Sequence, residues 1–310
     1  MRSHDVVAAV AAASTFFFLA PPARGQACCA GTGAVTPGRL ALHERVILGV
    51  QAKAAMVVGS FDGAGRYAAS PAGANEIDLE QDLFAAVRVL RRAQIALLVP
   101  LVETWRASLG RSELGGGIGD VNASARYDFT IAGTSAFLPG LAALAGVTFP
   151  TGRPADARDT GPLATGATGV GAYQLNAGFA VEQTFGPWLV NATGVVAERT
   201  ARTVGSGPTA VREHLAPQGA VLAAVAYTFD NDWAVAASAS YAFEGNATLD
   251  GAESASSSHR LLTVSLSGVA PLSGVWRVQG AVFGNPPIAQ LGANQPADAG
   301  LSLALVHSGI

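Results

Sequence analysis

Charge is scarce in this sequence. Asp, Glu, Lys and Arg make up 13% of its 310 residues, about half the share usual in soluble domains. So few charges leave little with which to cover a large water-facing surface. Long apolar runs are scarce too. A membrane-crossing helix needs about 18 or more apolar residues in a row, and Val6–Ala23 is the one candidate. A helical protein that crosses a bilayer repeatedly is excluded. Cysteine is limited to the adjacent pair Cys28 and Cys29, which cannot staple a fold. There is no HExxH, no Cys/His cluster and no P-loop lysine, so no cofactor or metal is expected. A net charge of -3 gives no basic footprint for nucleic acid.

The one apolar run has the build of a secretory signal. Arg2 gives a basic start, Phe16-Phe17-Phe18 sits in the apolar stretch, and Pro21-Pro22 precedes small residues from Ala23 to Ala27. Cleavage after Gly25 or Ala27 fits this order. The expected organisation is a signal peptide over 1–27, a periplasmic N-terminal segment over 28–42 and a membrane domain over 43–310. A single membrane anchor is the alternative, and the proline pair opposes it. Lipidation of Cys28 is a further alternative, opposed by Gly25, which stands where a lipoprotein signal wants a Leu-like residue. An inert pair or a vicinal disulfide at Cys28-Cys29 is preferred.

What the chain has in abundance is alternation. In GGGIGDVNASARYDF, Gly115 to Phe129, Val121, Ala123, Ala125, Tyr127 and Phe129 share one parity, and Asn122, Ser124, Arg126 and Asp128 the other. Successive side chains of a strand point to opposite faces, so this is a strand with one apolar and one polar side. GGGIGD superficially suggests a nucleotide loop, but a strand follows it instead of a helix. Similar runs begin near His43, Ala93, Leu141, Tyr173, Trp188, Val221, Trp233, Leu262, Trp276 and Leu301. Ile77–Arg91 is ambiguous. Leu79, Leu83, Val87 and Leu90 fit a helical stripe. Yet Leu79, Leu83, Ala85, Val87 and Val89 also alternate with Asp78, Glu80, Asp82 and Arg88, and the short Arg91-Arg92 turn into another alternating run favours the strand.

About twelve strands of roughly ten residues match tilted strands crossing a bilayer. The expected fold is all-β: an antiparallel transmembrane β-barrel of the outer-membrane type. Short connections at Arg91-Arg92, Thr130–Pro139, Gly186-Pro187, Asp230–Asp232 and Pro271–Gly274 alternate with long ones, including a polar loop after Arg106. Short periplasmic turns and long extracellular loops would put both termini in the periplasm. Trp188, Trp233 and Trp276 each follow a short turn, and Phe129, Tyr227 and Phe229 precede one, as interfacial aromatic girdles require. The last residues, Val306 to Ile310, lack the terminal aromatic on which many such barrels finish. Either that signal is degenerate or the last strand ends early.

GGGIGDVNASARYDF followed by PGLAALAGVTFPTG resembles a known family, the outer-membrane barrels grouped under the MetA pathway of phenol degradation. The matching motif is Gly117, Gly119 and Asp120, then Pro150, Thr151 and Gly152; a strand ending in Pro100 and the stretch GPLATGATG are similar too. The resemblance spans roughly Ile77 to Gly194. It implies an outer-membrane channel for small aromatic or apolar compounds.

Polar-face residues are the candidates for lining a lumen: Asp78, Glu80, Asp82, Arg88, Asn122, Arg126, Asp128, Gln174, Asn176, Glu182, Arg277 and Gln279. Their mixed signs suit a polar constriction or a set of internal ion pairs. The leading expectation is passive passage of small solutes across the outer membrane of a Gram-negative bacterium. Outer-membrane lipid and the barrel-assembly machinery would be the partners, and an enzyme is not expected. A structural or adhesive barrel is one alternative. A barrel hydrolase is another, with His259 near Ser256–Ser258 or His214 near Glu213, but neither lies in a GxSxG context. Asp156 and Asp159, in a long loop, are read as solvated loop charge in preference to a weak cation site.

Overall fold

A computed structural model describes residues 39–309, except 42, 109, 136, 158 and 206–209. The expected signal peptide and Cys28-Cys29 lie outside the described residues. Among those described, twelve long strands form one antiparallel sheet. They are β1 (Val46–Phe61), β2 (Asn75–Leu90), β3 (Ala93–Ser108), β4 in two segments (Arg111–Ile118 and Val121–Thr130), β5 (Gly140–Phe149) and β6 (Gln174–Phe185). The chain continues through β7 (Trp188–Arg199), β8 (Gln218–Thr228), β9 (Ala234–Glu244), β10 (His259–Pro271), β11 (Trp276–Gly284) and β12 (Gln295–Gly309). Each strand pairs with its neighbours in sequence, and β12 pairs with β1 from Val46↔Gly309 to Phe61↔Gln295. The sheet therefore closes on itself and leaves no edge strand, which is what backbone amides in hydrocarbon demand.

Ile77–Arg91 resolves as strand. β2 pairs along its length with β1 and β3, so the helical stripe is an accident of leucine spacing. β12 runs to Gly309, so the last strand does not end early.

The side-chain distribution is inside out. Leu48, Val50, Leu83, Leu97, Phe179, Val221, Leu266 and Leu303 are exposed on the outer face, while buried apolar positions are mostly alanine. Apolar patches on soluble monomers seldom exceed a few hundred Å², whereas here exposed apolar side chains occur on every one of the twelve strands. Aromatic rings gather near the end of the barrel at which β1 begins and β12 ends, called here the terminal end. Trp188, Tyr227 and Phe229 form a chain of edge contacts with centroids 4.9 Å apart, and Trp276 meets His307 at 4.8 Å. Phe149 and Tyr173, 6.1 Å apart, mark the opposite end.

The barrel is taller on one side. β1, β2 and β3 have 16 residues each, but β5 has 10. At about 3.3 Å per residue and 9–11 residues per crossing, the tall wall projects roughly 15 Å beyond the bilayer. One expected loop is absent as a result. The segment after Arg106 is not a long polar loop: β3 runs to Ser108, β4 starts at Arg111, and Gly115–Gly117 pair with β3 as strand. Glycines there read as loop in the sequence because they lack side chains to alternate. Their backbone is extended all the same, with Gly116 at φ +155° and so close to β3 that a Cβ would lie 2.2 Å from the Val102 carbonyl oxygen.

At the end away from the termini, residues 150–173, 200–217 and 245–258 form the large connections. Short strands Arg202–Val204, Val211–His214, Thr248–Leu249 and Ala252–Glu253 unite the last two in a small four-stranded sheet above the low wall.

Candidate functional site

The inward parity of each strand builds the site. On β2 it places Glu76, Asp78, Glu80, Asp82, Phe84, Ala86 and Arg88 in one column. Glu76 pairs with Arg106 at 2.7 Å and Glu80 with Lys53 at 2.9 Å, and Asp78 accepts from Thr104 Oγ1 at 2.7 Å. Asp82 is buried at the level of Gln51 and Pro100. Gln51, Phe84, Thr104, Gln279 and Ser302 are buried as well, so side chains fill the sector of the lumen along β1–β3, β11 and β12.

A second column crosses β4, β6 and β7. Arg126 donates to Asp128 at 2.8 Å and to Glu182 at 3.0 Å, and Asn191 Nδ2 donates to Glu182 at 3.1 Å. Towards the loop end, Asn122 donates to Thr148 Oγ1 and Gln174 to Asn176. Arg199 reaches Gln174, Gln218 and Glu244. His259 Nε2 lies 3.3 Å from the same Glu244. Ser257 Oγ is engaged by the Ala247 N–H and the Ser254 carbonyl, and His214 sits beside Glu198. The histidines thus face carboxylates, and nothing in this arrangement builds a Ser–His nucleophile.

Beside the second column, against β3 to β8, lies a cavity of about 480 Å³. Ala96, Leu98, Leu144, Val195 and Ala220 form much of its wall, with Asn122, Ser124, Gln174, Asn176, Thr193 and Gln218 spaced among them and Arg39 and Arg126 also lining it. Small residues at inward positions create this space. An apolar lining with a few convergent polar groups is the usual make-up of a small-molecule site.

Strand-free residues occupy the terminal end of the lumen. Arg39 pairs with Glu182, and the Leu40 N–H donates to Gln94 Oε1 at 3.3 Å. Glu44 is buried, accepts the Ala41 N–H at 2.7 Å and pairs with Arg277. Arg88 donates to the carbonyls of Ala41 at 2.8 Å and Glu44 at 3.0 Å. Arg39–Ala41, the described part of the segment read as periplasmic, therefore lies inside the barrel end. Arg88 and Arg277, singled out as lumen residues, contact this segment.

The glycine motif builds a latch. Asp120 lies in the break between the two segments of β4, and its carboxylate accepts from the Gly152 N–H at 2.9 Å and the Val170 N–H at 2.7 Å. Thr151 Oγ1 donates to the Gly119 carbonyl at 2.6 Å and accepts the Val121 N–H at 3.0 Å. The Gly119 N–H donates to the Pro100 carbonyl at 2.8 Å. Residues 150–173 are thereby tied to the tall wall, with Gly169 so near that a Cβ would fall 2.3 Å from Asp120 Oδ1. Arg153 strengthens the tie, reaching Asp159 at 2.9 Å and the Gly116 carbonyl. This hydrogen bond holds the Asp159 carboxyl below its ordinary range. Asp156 faces Arg202 at 3.3 Å. Both loop carboxylates are matched by arginines, Asp159 by Arg153 and Asp156 by Arg202.

Sequence reasoning missed Arg39, Glu44 and Gln94. The first two lie outside any alternating run, and Gln94 was one polar residue among many on β3. Their partners are 143, 233 and 54 residues away.

These features define a class: a closed twelve-stranded barrel of the outer-membrane type. One solved structure supports the fold, and two others are less similar. The COG4313 outer membrane channel from Pseudomonas putida F1 superposes with a TM-score of 0.71 at 15% identity, over 86% of this chain and 96% of that one. The translocator domain of the autotransporter NalP from Neisseria meningitidis gives 0.48 at 12% identity, over 85% and 87%. The CymD monoaromatic hydrocarbon channel gives 0.43 at 10% identity, over 94% of each chain. No protein-family model matches the sequence, and no curated protein matches it.

Proposed function

We propose that this chain is an outer-membrane channel for small solutes of aromatic or apolar character, with the terminal end of the barrel in the periplasm. The cavity of about 480 Å³ carries this reading, because its lining is mostly apolar, its neutral polar groups are amides and hydroxyls, and its two guanidinium groups, Arg39 and Arg126, are both paired with Glu182. Such a surface favours a weakly polar solute over a hydrated ion, since burying unpaired charge there is costly. The likeness in fold to the COG4313 outer membrane channel from Pseudomonas putida F1 supports the reading. Export through a cleaved signal peptide completes it.

The test is uptake. Proteoliposomes carrying the purified protein should admit benzyl alcohol faster than protein-free vesicles, and a planar bilayer should show unitary conductance in potassium chloride. Failure of both would reject a channel. A surface role is the second reading, favoured by the small sheet formed by two loops above the low wall. Deleting residues 245–258 with loss of cell adhesion and unchanged uptake would favour it.

A further inference from the structure

Leu40 and Ala41 are neighbours in sequence but belong to apolar clusters on opposite walls. Leu40 packs with Ile47, Phe84, Ala86, Ala304 and Val306 on β1, β2 and β12. Ala41 packs with Leu189, Ala226, Ala234, Ala236 and Val269 on β7 to β10. In a ring of twelve strands, β2 and β8 are six apart, directly across the lumen. Two adjacent residues that touch both walls must bridge the bore.

The means of attachment matter as much as the position. The segment joins no strand ladder of its own. Apart from backbone bonds at its β1 end, where the Glu44 N–H donates to Ala41, the Arg45 N–H to Gly309 and the Arg88 N–H to Arg45, the attachments of its described residues run through side chains. Arg88 holds two of its carbonyls, Gln94 holds one amide, Arg277 pairs with Glu44, and Glu182 pairs with Arg39. Stripping a buried ion pair of one partner is costly in a dry interior. Water entering a lumen can replace these contacts, because they are side-chain hydrogen bonds and ion pairs and not a ladder. Arg39 also lines the cavity, so the segment forms part of the solute chamber's boundary.

We propose that the segment from Arg39 to Glu44 is a displaceable stopper that closes the terminal end of the lumen and sets the resting conductance. This rests on the channel reading. The Arg39–Glu182–Arg126 chain joins the stopper to the cavity, so a solute that disturbs Arg126 loosens the stopper from inside.

The experiment compares unitary conductance in potassium chloride for the full mature chain, a deletion of residues 39–44 and Arg88→Ala, each checked for folding by heat-modifiable gel migration. The deletion should raise conductance at least threefold. Arg88→Ala leaves the segment in place and should flicker between the parental level and the raised one. A folded deletion that conducts like the parent overturns the stopper and leaves the channel intact. Absence of conductance in parent and deletion alike overturns both. Should the deletion not fold, parental conductance without flicker in Arg88→Ala overturns the stopper.

Discussion

Asp120 shows how one side chain can fix a loop. Its two oxygens accept from two backbone amides, Gly152 and Val170, that flank the loop between β5 and β6. Asp120→Ala leaves both amides without that partner, at about 1–3 kcal/mol for each one that stays buried. The barrel should still assemble, while residues 153–171 should become at least tenfold more sensitive to added protease. Unchanged proteolysis would mean that Thr151 and Arg153 hold the loop without Asp120. Asp159 offers a pH handle on the same loop. Its carboxyl titrates below the ordinary value of 3.8 because Arg153 donates to it. A depressed folded value means that the contact stabilises the loop above the ordinary carboxylate range and is lost as pH falls through the depressed value. Proteolysis of the loop should therefore be flat between pH 5 and 8 and rise only in stronger acid. An increase between pH 5 and 6 would place the controlling group elsewhere.

Strands carry the next level of organisation, and parity decides what a substitution does. Leu97 is outward on β3 and 47% exposed to what the fold makes lipid. Leu97→Arg should cost about 2–4 kcal/mol if it lies near the bilayer midplane, seen as a lower urea midpoint for unfolding from lipid vesicles. Ser124, inward on the adjacent β4, lines the cavity. Ser124→Arg should leave that midpoint nearly unchanged and reduce solute flux instead. Equal destabilisation by both would contradict the assigned faces. The alternation that sets these faces was legible residue by residue, from Val121–Phe129 through Trp233–Phe243. The stretch from Ile77 stayed ambiguous in the sequence, where the short Arg91-Arg92 turn favoured the strand, and pairing with β1 and β3 settled it. Legibility failed at Gly115–Gly117, where glycine gives no pattern, and strand pairing with β3 is known only from the partner.

At the scale of the whole molecule, the lumen divides into a packed sector and an open one. The open sector is the part that a solute can use. Asn176→Trp would fill much of a cavity of about 480 Å³ while keeping an inward position inward. It should lower benzyl alcohol entry severalfold without changing membrane insertion. Unaltered entry would move the pathway to another part of the barrel. Lumen candidates named from the sequence met two fates here. Asn122, Arg126, Gln174 and Asn176 border the cavity, whereas Asp82, Glu182, Arg277 and Gln279 are buried against neighbours or in ion pairs.

The sequence by itself determined that oily and polar side chains alternate, that connections differ in length at the two ends, and hence that a sheet turns its apolar face outward. Those properties are local, repeated every second residue, and need no knowledge of partners. Only the tertiary structure decided which inward residues meet, that Asp120 grips a loop 32 and 50 positions further on, and that Leu40 and Ala41 lie across the bore. Such contacts depend on the closure of β12 against β1, which brings residue 277 beside residue 44, and no periodicity within either segment encodes that meeting.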